Sequence, residues 1–399
     1  MPNQYFSPEG DLETFNYYVT EYWLIDQYVG DTLWGWGYGA FFGLLADNIG
    51  AHRSTPITTF AGGTNWKSIA AGGLHAAAIK TDGTLWTWGA GSLGRLGTND
   101  ATNRFTPVTT FAGGTDWKQV SNSSTAAHNA AIKTDGTLWT WGFNDGRLGN
   151  NTATNRSTPV TTFAGGTDWK QVATGYRTTS AIKTDGTLWI WGNNSYQALG
   201  VNDNLNRPTP VTTFAGGTNW KQVACGRDFS SAIKTDGTLW TWGQNNYGQL
   251  GDNTTTNRLT PVTTLVGGTN WKQVACGSYH TAAIKTDGTL WTWGRNSYGQ
   301  LGINLAGTTN GRSTPVTTFS GGTNWKQVAC GYWQVISLKT DGTLWNWGRN
   351  LEGQMGTNDT NNRSTPVTTF AGGTNWKQVA GASAIYAITS GTDPTYFIS

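Results

Sequence analysis

The stretch VACGSYHTAAIKTDGTLWTWGRNSYGQLG, residues 274–302, contains the pattern that decides the fold. Its WxWG element recurs along the chain at intervals of 50 to 54 residues, beginning at Trp34, Trp86, Trp139, Trp189, Trp240, Trp291 and Trp345. A second tryptophan, in GGTNWK or GGTDWK, recurs at Trp66, Trp117, Trp169, Trp220, Trp271, Trp325 and Trp376. A fixed period of this length is typical of repeat architectures such as propellers and solenoids. The sequence therefore predicts seven copies of one unit.

Each unit contains four short strands joined by four connections. In the copy that begins at Trp271, the segments WKQVA, TAAIK, TLWTW and PVTTF have the alternation and β-branched residues of strands. The tripeptide TDG at 286–288 supplies the residue with positive φ that a tight hairpin turn requires. Four-stranded antiparallel blades repeated radially make a propeller. We therefore expect an all-β, seven-bladed β-propeller.

The two ends of the repeat each carry half a unit. The first WxWG has no WK strand before it, and WKQVAGASAIYAIT at 376–389 has no WxWG after it. We expect the ring to close between these N- and C-terminal half blades, with either 22–28 or 384–389 as the second strand of that blade. The predicted organisation is a non-repeat segment at 1–30, the propeller at 31–389 and a tail at 390–399.

Charge and targeting signals narrow the classes of partner. Charged residues make up 12% of the 399-residue chain, and the net charge of +3 is spread over recurring framework positions, which argues against a nucleic-acid partner. No apolar run approaches the roughly 20 residues of a membrane span, and the N-terminus is acidic where a secretory signal is positive. We therefore expect synthesis in the cytoplasm and no membrane insertion.

The cysteine, histidine and carboxylate residues do not form the pattern of a metal site or of an active site. Three cysteines occupy one repeat position in successive units, which predicts free buried thiols: Cys225, Cys276 and Cys330. The four histidines are not clustered with the cysteines at the spacing of metal ligands, so we predict no metal and no cofactor. Most aspartates belong to TDG turns, and Glu352 is the only glutamate in the repeats, so no catalytic residues are predicted.

The quoted stretch resembles the repeat of the regulator of chromosome condensation family. The likeness rests on CG followed by an aromatic residue and His, and on WG followed by Asn, Tyr, Gly, Gln, Leu and Gly, complete at 243–251 and 294–302. It covers nearly all of 34–389 and implies a seven-bladed propeller in which the histidine at position 280 packs between blades. The founding activity of that family, nucleotide exchange on a small GTPase, uses an inserted wedge for which the even spacing leaves no room.

Connections that vary against a constant frame indicate a binding surface. The first and third connections of a blade share one face, and there the first connections read GLH, GYRT, GRDF, GSYH and GYWQ, whereas TDG and AGGTN on the other face hardly change. Arginine and aromatic side chains are the usual anchors of protein interfaces. The predicted partner-binding residues are Tyr176, Arg177, Arg227, Asp228, Phe229, Tyr279, His280, Arg295, Tyr332, Trp333 and Arg349.

The non-repeat segment at 1–30 is rich in aromatic and acidic residues and would be costly to leave exposed. We predict that it either packs against the ring or docks into a partner, with the anchoring residues Tyr5, Phe6, Phe15, Tyr17, Tyr18, Tyr22 and Trp23. Its opening is similar, over a short stretch, to virion proteins of tailed bacteriophages that carry this propeller.

Three functions are compatible with these patterns. The leading hypothesis is a non-enzymatic virion protein, structural or decorating, which presents the variable loops to another virion subunit or to the host. The alternatives are a glycan-binding propeller lectin that recognises a host-surface sugar, and a cytoplasmic scaffold or exchange factor.

Overall fold

The computed structural model describes residues 30–39, 42–60, 63–123 and 126–391. These residues form 28 β-strands and two short 3₁₀ turns, Ser92–Gly94 and Thr308–Asn310, with no α-helix among them. The strands assemble into seven four-stranded antiparallel sheets. The predicted all-β, seven-bladed propeller is therefore confirmed.

The strands follow the chain blade by blade. The chain enters through two strands of the closing blade, blade 7: β1 (Thr32–Gly37) and β2 (Arg53–Thr58). Blade 1 contains β3 (Trp66–Ala71), β4 (His75–Lys80), β5 (Leu85–Gly89) and β6 (Arg104–Thr109). Blade 2 contains β7 (Trp117–Ser121), β8 (His128–Lys133), β9 (Leu138–Gly142) and β10 (Arg156–Thr161). Blade 3 contains β11 (Trp169–Thr174), β12 (Thr178–Lys183), β13 (Leu188–Gly192) and β14 (Arg207–Thr212).

The second half of the ring repeats this order. Blade 4 contains β15 (Trp220–Cys225), β16 (Phe229–Lys234), β17 (Leu239–Gly243) and β18 (Arg258–Thr263). Blade 5 contains β19 (Trp271–Cys276), β20 (His280–Lys285), β21 (Leu290–Gly294) and β22 (Arg312–Thr317). Blade 6 contains β23 (Trp325–Cys330), β24 (Gln334–Lys339), β25 (Leu344–Gly348) and β26 (Arg363–Thr368). Blade 7 is completed by β27 (Trp376–Gly381) and β28 (Ala384–Thr389).

Blade 7 joins the two half blades. Its strand order is β2-β1-β28-β27, and β1 pairs with β28 along its whole length, from Thr32 opposite Thr389 to Gly37 opposite Ala384. The expected closure is confirmed, and β28 supplies the second strand that the sequence left open.

The TDG turn is held by a short chain of hydrogen bonds. In blade 5, Asp287 Oδ1 accepts from the backbone N–H of Thr289 at 2.9 Å and from its hydroxyl at 2.7 Å. The same hydroxyl accepts from Trp291 Nε1 at 2.9 Å. All six TDG turns repeat this chain. The turn aspartates therefore have the structural role that the sequence predicts.

Tryptophan packing joins each blade to the next. In blade 5, the ring of Trp271 lies edge-on to Trp291 and Trp293, with centroids 6.2 and 6.1 Å away. Trp293 is fully buried and donates from Nε1 to the carbonyl of Gln249 in blade 4 at 2.9 Å. An equivalent bond crosses each of the seven interfaces between neighbouring blades. The recurring tryptophans of the WxWG and WK elements are therefore core residues.

The first strands of the blades surround a central channel with a cavity of about 330 Å³. Cys225, Cys276 and Cys330 lie along this channel, and all three thiols are free, as predicted. Cys225 and Cys330 are buried, whereas Cys276 is partly exposed, which corrects the prediction for that residue. Desolvation raises the pKa of the Cys276 thiol to about 12, so it is protonated at neutral pH.

Candidate partner-binding face

The first connection of each blade meets the third connection of the preceding blade on one face of the ring. Tyr279, in the first connection of blade 5, packs against Tyr247 of blade 4 with ring centroids 5.1 Å apart. Trp333, in the first connection of blade 6, packs in the same way against Tyr298 of blade 5 at 5.7 Å. We call this surface the variable face and the surface with the TDG turns the constant face.

A buried asparagine fixes the path of the third connections. In blade 5, Asn296 Oδ1 accepts from the backbone N–H of Leu301 at 3.0 Å, and Nδ2 donates to the carbonyl of Leu305 at 2.7 Å. Buried asparagines bond in the same way in blades 2, 3, 4 and 6, namely Asn144, Asn194, Asn245 and Asn350. The side chains that these connections carry are therefore presented from a preorganised backbone.

Accessible side chains on the variable face of blades 3 to 6 touch one another in a continuous series, which we call the arginine–aromatic cluster. Each member is at least partly exposed. The cluster comprises Tyr176, Arg177, Tyr196, Arg227, Tyr247, Tyr279, Arg295, Tyr298, Tyr332, Trp333 and Arg349. It brings together eight of the eleven predicted partner-binding residues.

Arg295 lies at the centre of the cluster. Its guanidinium carbon is 4.7 Å from the ring centroid of Tyr247 and 4.7 Å from that of Trp333, both within the range of a cation–π interaction. It donates to the hydroxyl of Ser297 at 2.8 Å and to that of Tyr247 at 3.3 Å. No carboxylate of the described residues pairs with it, so its positive charge is presented without a counter-ion.

Asp228 supports two other arginines of the cluster from below. Its carboxylate is 5% exposed and lies 3.5 Å from Arg177 and 3.6 Å from Arg227. Burial raises the pKa of Asp228 above its ordinary value, and the two arginines oppose that shift. Arg227 in turn stacks over Tyr176 and Tyr279, at 5.1 and 5.4 Å. A partner would therefore contact the guanidinium groups of Arg177 and Arg227, and not the carboxylate beneath them.

Three predicted contact residues are buried and are corrections to the predicted face: Asp228, which lies beneath the two arginines, and two residues inside the ring. Phe229 and His280 are both fully buried, because each is the first residue of its blade's second strand and packs inwards. His75 and His128 are buried at the same position of blades 1 and 2. His280 is thus packed as the family resemblance implies and is not part of an exposed surface.

Three tyrosines of the cluster are not among the residues predicted from the sequence. Tyr247 and Tyr298 belong to the recurring NxYG motif that carries the family resemblance, and Tyr196 belongs to its drifted copy. Their rings nevertheless reach the surface, and Tyr196 and Tyr247 are 37% and 40% exposed. Their position in the sequence could have predicted this exposure, since each tyrosine follows a WG turn on the face that the first connections share.

The constant face repeats one arrangement with little variation. In blade 5, Lys285 Nζ lies 4.7 Å from the ring centroid of Trp271 and 4.6 Å from that of Trp291. The same pairing occurs in blades 1 to 6. These lysines are therefore held by the framework, and the chemistry that differs between blades lies on the variable face.

Within the described ranges, no group of three or more His, Cys, Asp or Glu side chains is placed to hold a metal ion. No helix there has the length and apolarity to cross a membrane. The anchoring residues predicted between Tyr5 and Trp23 lie outside the described residues.

The sequence profile of the RCC1-like domain matches residues 115–397, and profiles of the regulator of chromosome condensation (RCC1) repeat match residues 66–95 and 82–129. The first match covers more than half of the chain. The protein belongs to the RCC1-like family.

Named members of the RCC1-like family share part of the sequence. The ultraviolet-B receptor UVR8 of Arabidopsis thaliana is 32% identical over 307 residues, covering 75% of this chain and 68% of the receptor. The mitochondrial RCC1 domain-containing protein RUG3 of the same plant is 33% identical over 248 residues, covering 59% of this chain and 55% of RUG3. The chain spans 5% of the length of the human E3 ubiquitin-protein ligase HERC2, to which it is 29% identical.

Solved RCC1-like propellers have the same fold. Human WBSCR16 superposes with a TM-score of 0.78 at 20% identity, covering 91% of this chain and all of that one. Prp20p of Saccharomyces cerevisiae superposes with a TM-score of 0.76 at 18% identity, covering 92% of each chain. At these identities the likeness establishes the fold alone.

Proposed function

We propose that this RCC1-like propeller is a non-enzymatic binding protein that engages another protein through the arginine–aromatic cluster of its variable face. The observation that carries the proposal is the continuity of the cluster over four blades, with accessible arginines held between aromatic rings. Arginine, tyrosine and tryptophan are the residues that most often dominate protein interfaces. The structure of Prp20p was described together with its binding to Gsp1p and histones, which is consistent with protein binding by this fold.

The charge of the cluster indicates the character of the partner. Arg177 and Arg227 share the buried Asp228, and Arg349 pairs with Glu352 at 2.6 Å, but Arg295 has no carboxylate among the described residues. A partner that places an Asp or Glu over Arg295 would neutralise that charge in a site already lined by aromatic rings. We therefore expect an acidic patch on the partner and an association rate that falls with ionic strength.

The test is capture of a partner with charge-reversed variants. Purified protein is used to capture proteins from its native source, the captured protein is identified by mass spectrometry, and its affinity is measured with purified components. Arg295→Glu should weaken binding by about tenfold or more, since it replaces the unpaired cation with an anion. The matched control is Lys272→Glu, the same charge change at an exposed site on β19 outside the cluster. Equal affinity of the two variants would refute the proposal.

More specifically, we propose a structural or decorating role for this protein in a bacteriophage virion. Its support is the short resemblance of the opening of residues 1–30 to tailed-phage virion proteins, and the partner would then be another virion subunit or a component of the host surface. Sedimentation of native material on a density gradient tests it. Co-migration with intact particles at a fixed stoichiometry is the expected result, and recovery only as free protein would exclude it.

A further inference from the structure

A pocket lies at the edge of the variable face, where blade 6 meets blade 7. Its volume is about 270 Å³, just below the 300–1,000 Å³ that is common for drug-sized ligands. The walls come from Tyr298 of blade 5, from Trp333 and Arg349 of blade 6, and from Ser383 of blade 7. A cavity of this size has room for one six-membered ring with its substituents.

The pocket exists because the repeat is broken at this interface. The first connections of blades 3 to 6 carry large side chains, whereas that of blade 7 carries Ala382 and Ser383 and leaves the space open. Gln334 replaces the buried histidine found at position 280, and Glu352 replaces the tyrosine of the NxYG motif. These departures coincide at one interface, while the framework on both sides follows the repeat.

Aromatic rings form one side of the pocket. Trp333 lies at its centre, 5.7 Å from Tyr298 with the rings at 62° and 5.0 Å from Tyr332 with the rings at 58°. Because the three rings are inclined to one another, they form a concave apolar wall. Such a wall packs well against the C–H face of a saturated ring.

The polar side of the pocket is neutral overall. Arg349 pairs with Glu352 at 2.6 Å, and Gln354 binds Glu352 through both ends of its amide, accepting from the backbone N–H at 3.0 Å. The hydroxyls of Tyr298, Tyr332 and Ser383 face no hydrogen-bond partner among the described residues. The pocket therefore offers hydroxyl donors and acceptors without a net charge.

We propose that this pocket binds one neutral hexopyranose unit of a glycan. A sugar ring presents apolar C–H groups on one face and hydroxyls around its edge, which matches an aromatic wall opposite hydroxyl, amide and paired ionic groups. A phosphate or carboxylate ligand would require an uncompensated cation among the lining residues, and the arginine there, Arg349, is already paired. The sugar-binding role is distinct from the protein-binding role of the cluster, although four cluster residues, Tyr298, Tyr332, Trp333 and Arg349, also line the pocket.

Ligand-observed saturation-transfer NMR with methyl hexopyranosides and N-acetylglucosamine tests the site. We expect transfer to the ring C–H protons of at least one sugar, and a loss of about tenfold or more in affinity in Ser383→Phe, which fills the pocket. The matched control is Leu74→Phe, at the equivalent position of the first connection in blade 1, which should bind as the original protein does.

Three results would overturn the inference. They are the absence of saturation transfer to every sugar at several times millimolar concentration, unchanged transfer in Ser383→Phe, and equal loss in Leu74→Phe. The outcome is distinguishable from that of the protein-binding test, because Ser383→Phe leaves Arg295 and its rings in place. Saturation transfer to a neutral amide peptide with none to sugars would assign the pocket to a partner's side chain and reject the sugar.

Discussion

Buried histidines make the stability of this propeller depend on pH. His75 and His280 are fully buried, and desolvation is the main cause that lowers the pKa of His75 to about 3 and that of His280 to about 4. An unfolded chain gives histidine its ordinary pKa of about 6.5. The folded state therefore resists protonation that the unfolded state accepts. The resulting stabilisation is complete above about pH 6.5 and is lost as the pH falls towards the folded pKa.

Replacing His280 should reduce this dependence. Blade 4 has Phe229 at the equivalent position, so His280→Phe is a substitution that the repeat already accommodates. Protonation of His280 in the unfolded chain should lower the free energy of unfolding by about 2 kcal/mol between about pH 7 and pH 5. The His280→Phe variant should lack this decrease. Urea unfolding at both pH values measures it. An unchanged difference between the two pH values would show that His280 does not contribute to the response.

The TDG glycine is required for a reason that the sequence pattern already suggested. Gly288 has φ of 79°, and an added Cβ would lie 1.9 Å from the backbone oxygen of Thr323. Gly288→Ala should therefore lower the free energy of unfolding by about 2 kcal/mol or more, from left-handed strain and from the clash. The matched control is Gly267→Ala, with φ of 48° and no atom closer than 3.9 Å to the added Cβ, which should cost about 1 kcal/mol. Denaturant titration compares them, and equal costs would mean that the contact with Thr323 relaxes freely.

At the scale of the strand, blade 7 differs from the others by an exchange of side-chain size. Tyr386 on β28 faces Gly35 on β1, whereas the equivalent pair in blade 5 is Ala282 with Thr292. The Tyr386 ring is fully buried and packs 5.7 Å from Trp88, and its hydroxyl donates to the carbonyl of Leu44. The large residue on one strand is accommodated by the missing side chain on the other.

This exchange predicts strong coupling between the two positions. A Cβ at residue 35 would lie 3.2 Å from the Tyr386 ring, so Gly35→Thr should cost about 1–3 kcal/mol by overpacking. Tyr386→Ala should cost about 3–5 kcal/mol by leaving a cavity. The double variant recreates the pair of blade 5 and should cost less than the sum by about 1–3 kcal/mol. A double-mutant cycle measured by urea unfolding checks the coupling, and additive costs would contradict it.

Some features of these strands could be predicted from the sequence and others could not. The tryptophan and TDG markers were sufficient for the blade count and the turns, because each makes the same contact wherever it occurs, the tryptophan bond at seven interfaces and the TDG turn in six blades. The second strand of blade 7 stayed open, because alternation at 22–28 is as strand-like as at 384–389 and only pairing separates them. The pocket at Ser383 was not predicted, since it arises from side chains that are absent.

At the scale of the whole molecule, side-chain amides link the first strands around the channel. Gln222 donates from Nε2 to the carbonyl of Val274 in the next blade at 3.1 Å and accepts from the N–H of Val274 at 3.1 Å. Equivalent pairs of bonds join blades 2 to 6 through Gln119, Gln171, Gln222 and Gln273. Together with the tryptophan bonds, they connect neighbouring blades at both the inner and the outer part of the interface.

Removing one of these links should destabilise the entire ring. Gln222→Leu deprives the N–H and C=O of Val274 of their partners and should lower the free energy of unfolding by about 1–2 kcal/mol. The matched control is Gln327→Leu in blade 6, since the side-chain amide of Gln327 makes no hydrogen bond within the described residues, and its cost should be smaller. Because closure couples each blade to two neighbours, tryptophan fluorescence and far-ultraviolet circular dichroism should give one coincident urea transition in both variants. Two separated transitions in Gln222→Leu would mean instead that the blades on either side of the lost link unfold independently, as neighbouring units of an open repeat array do.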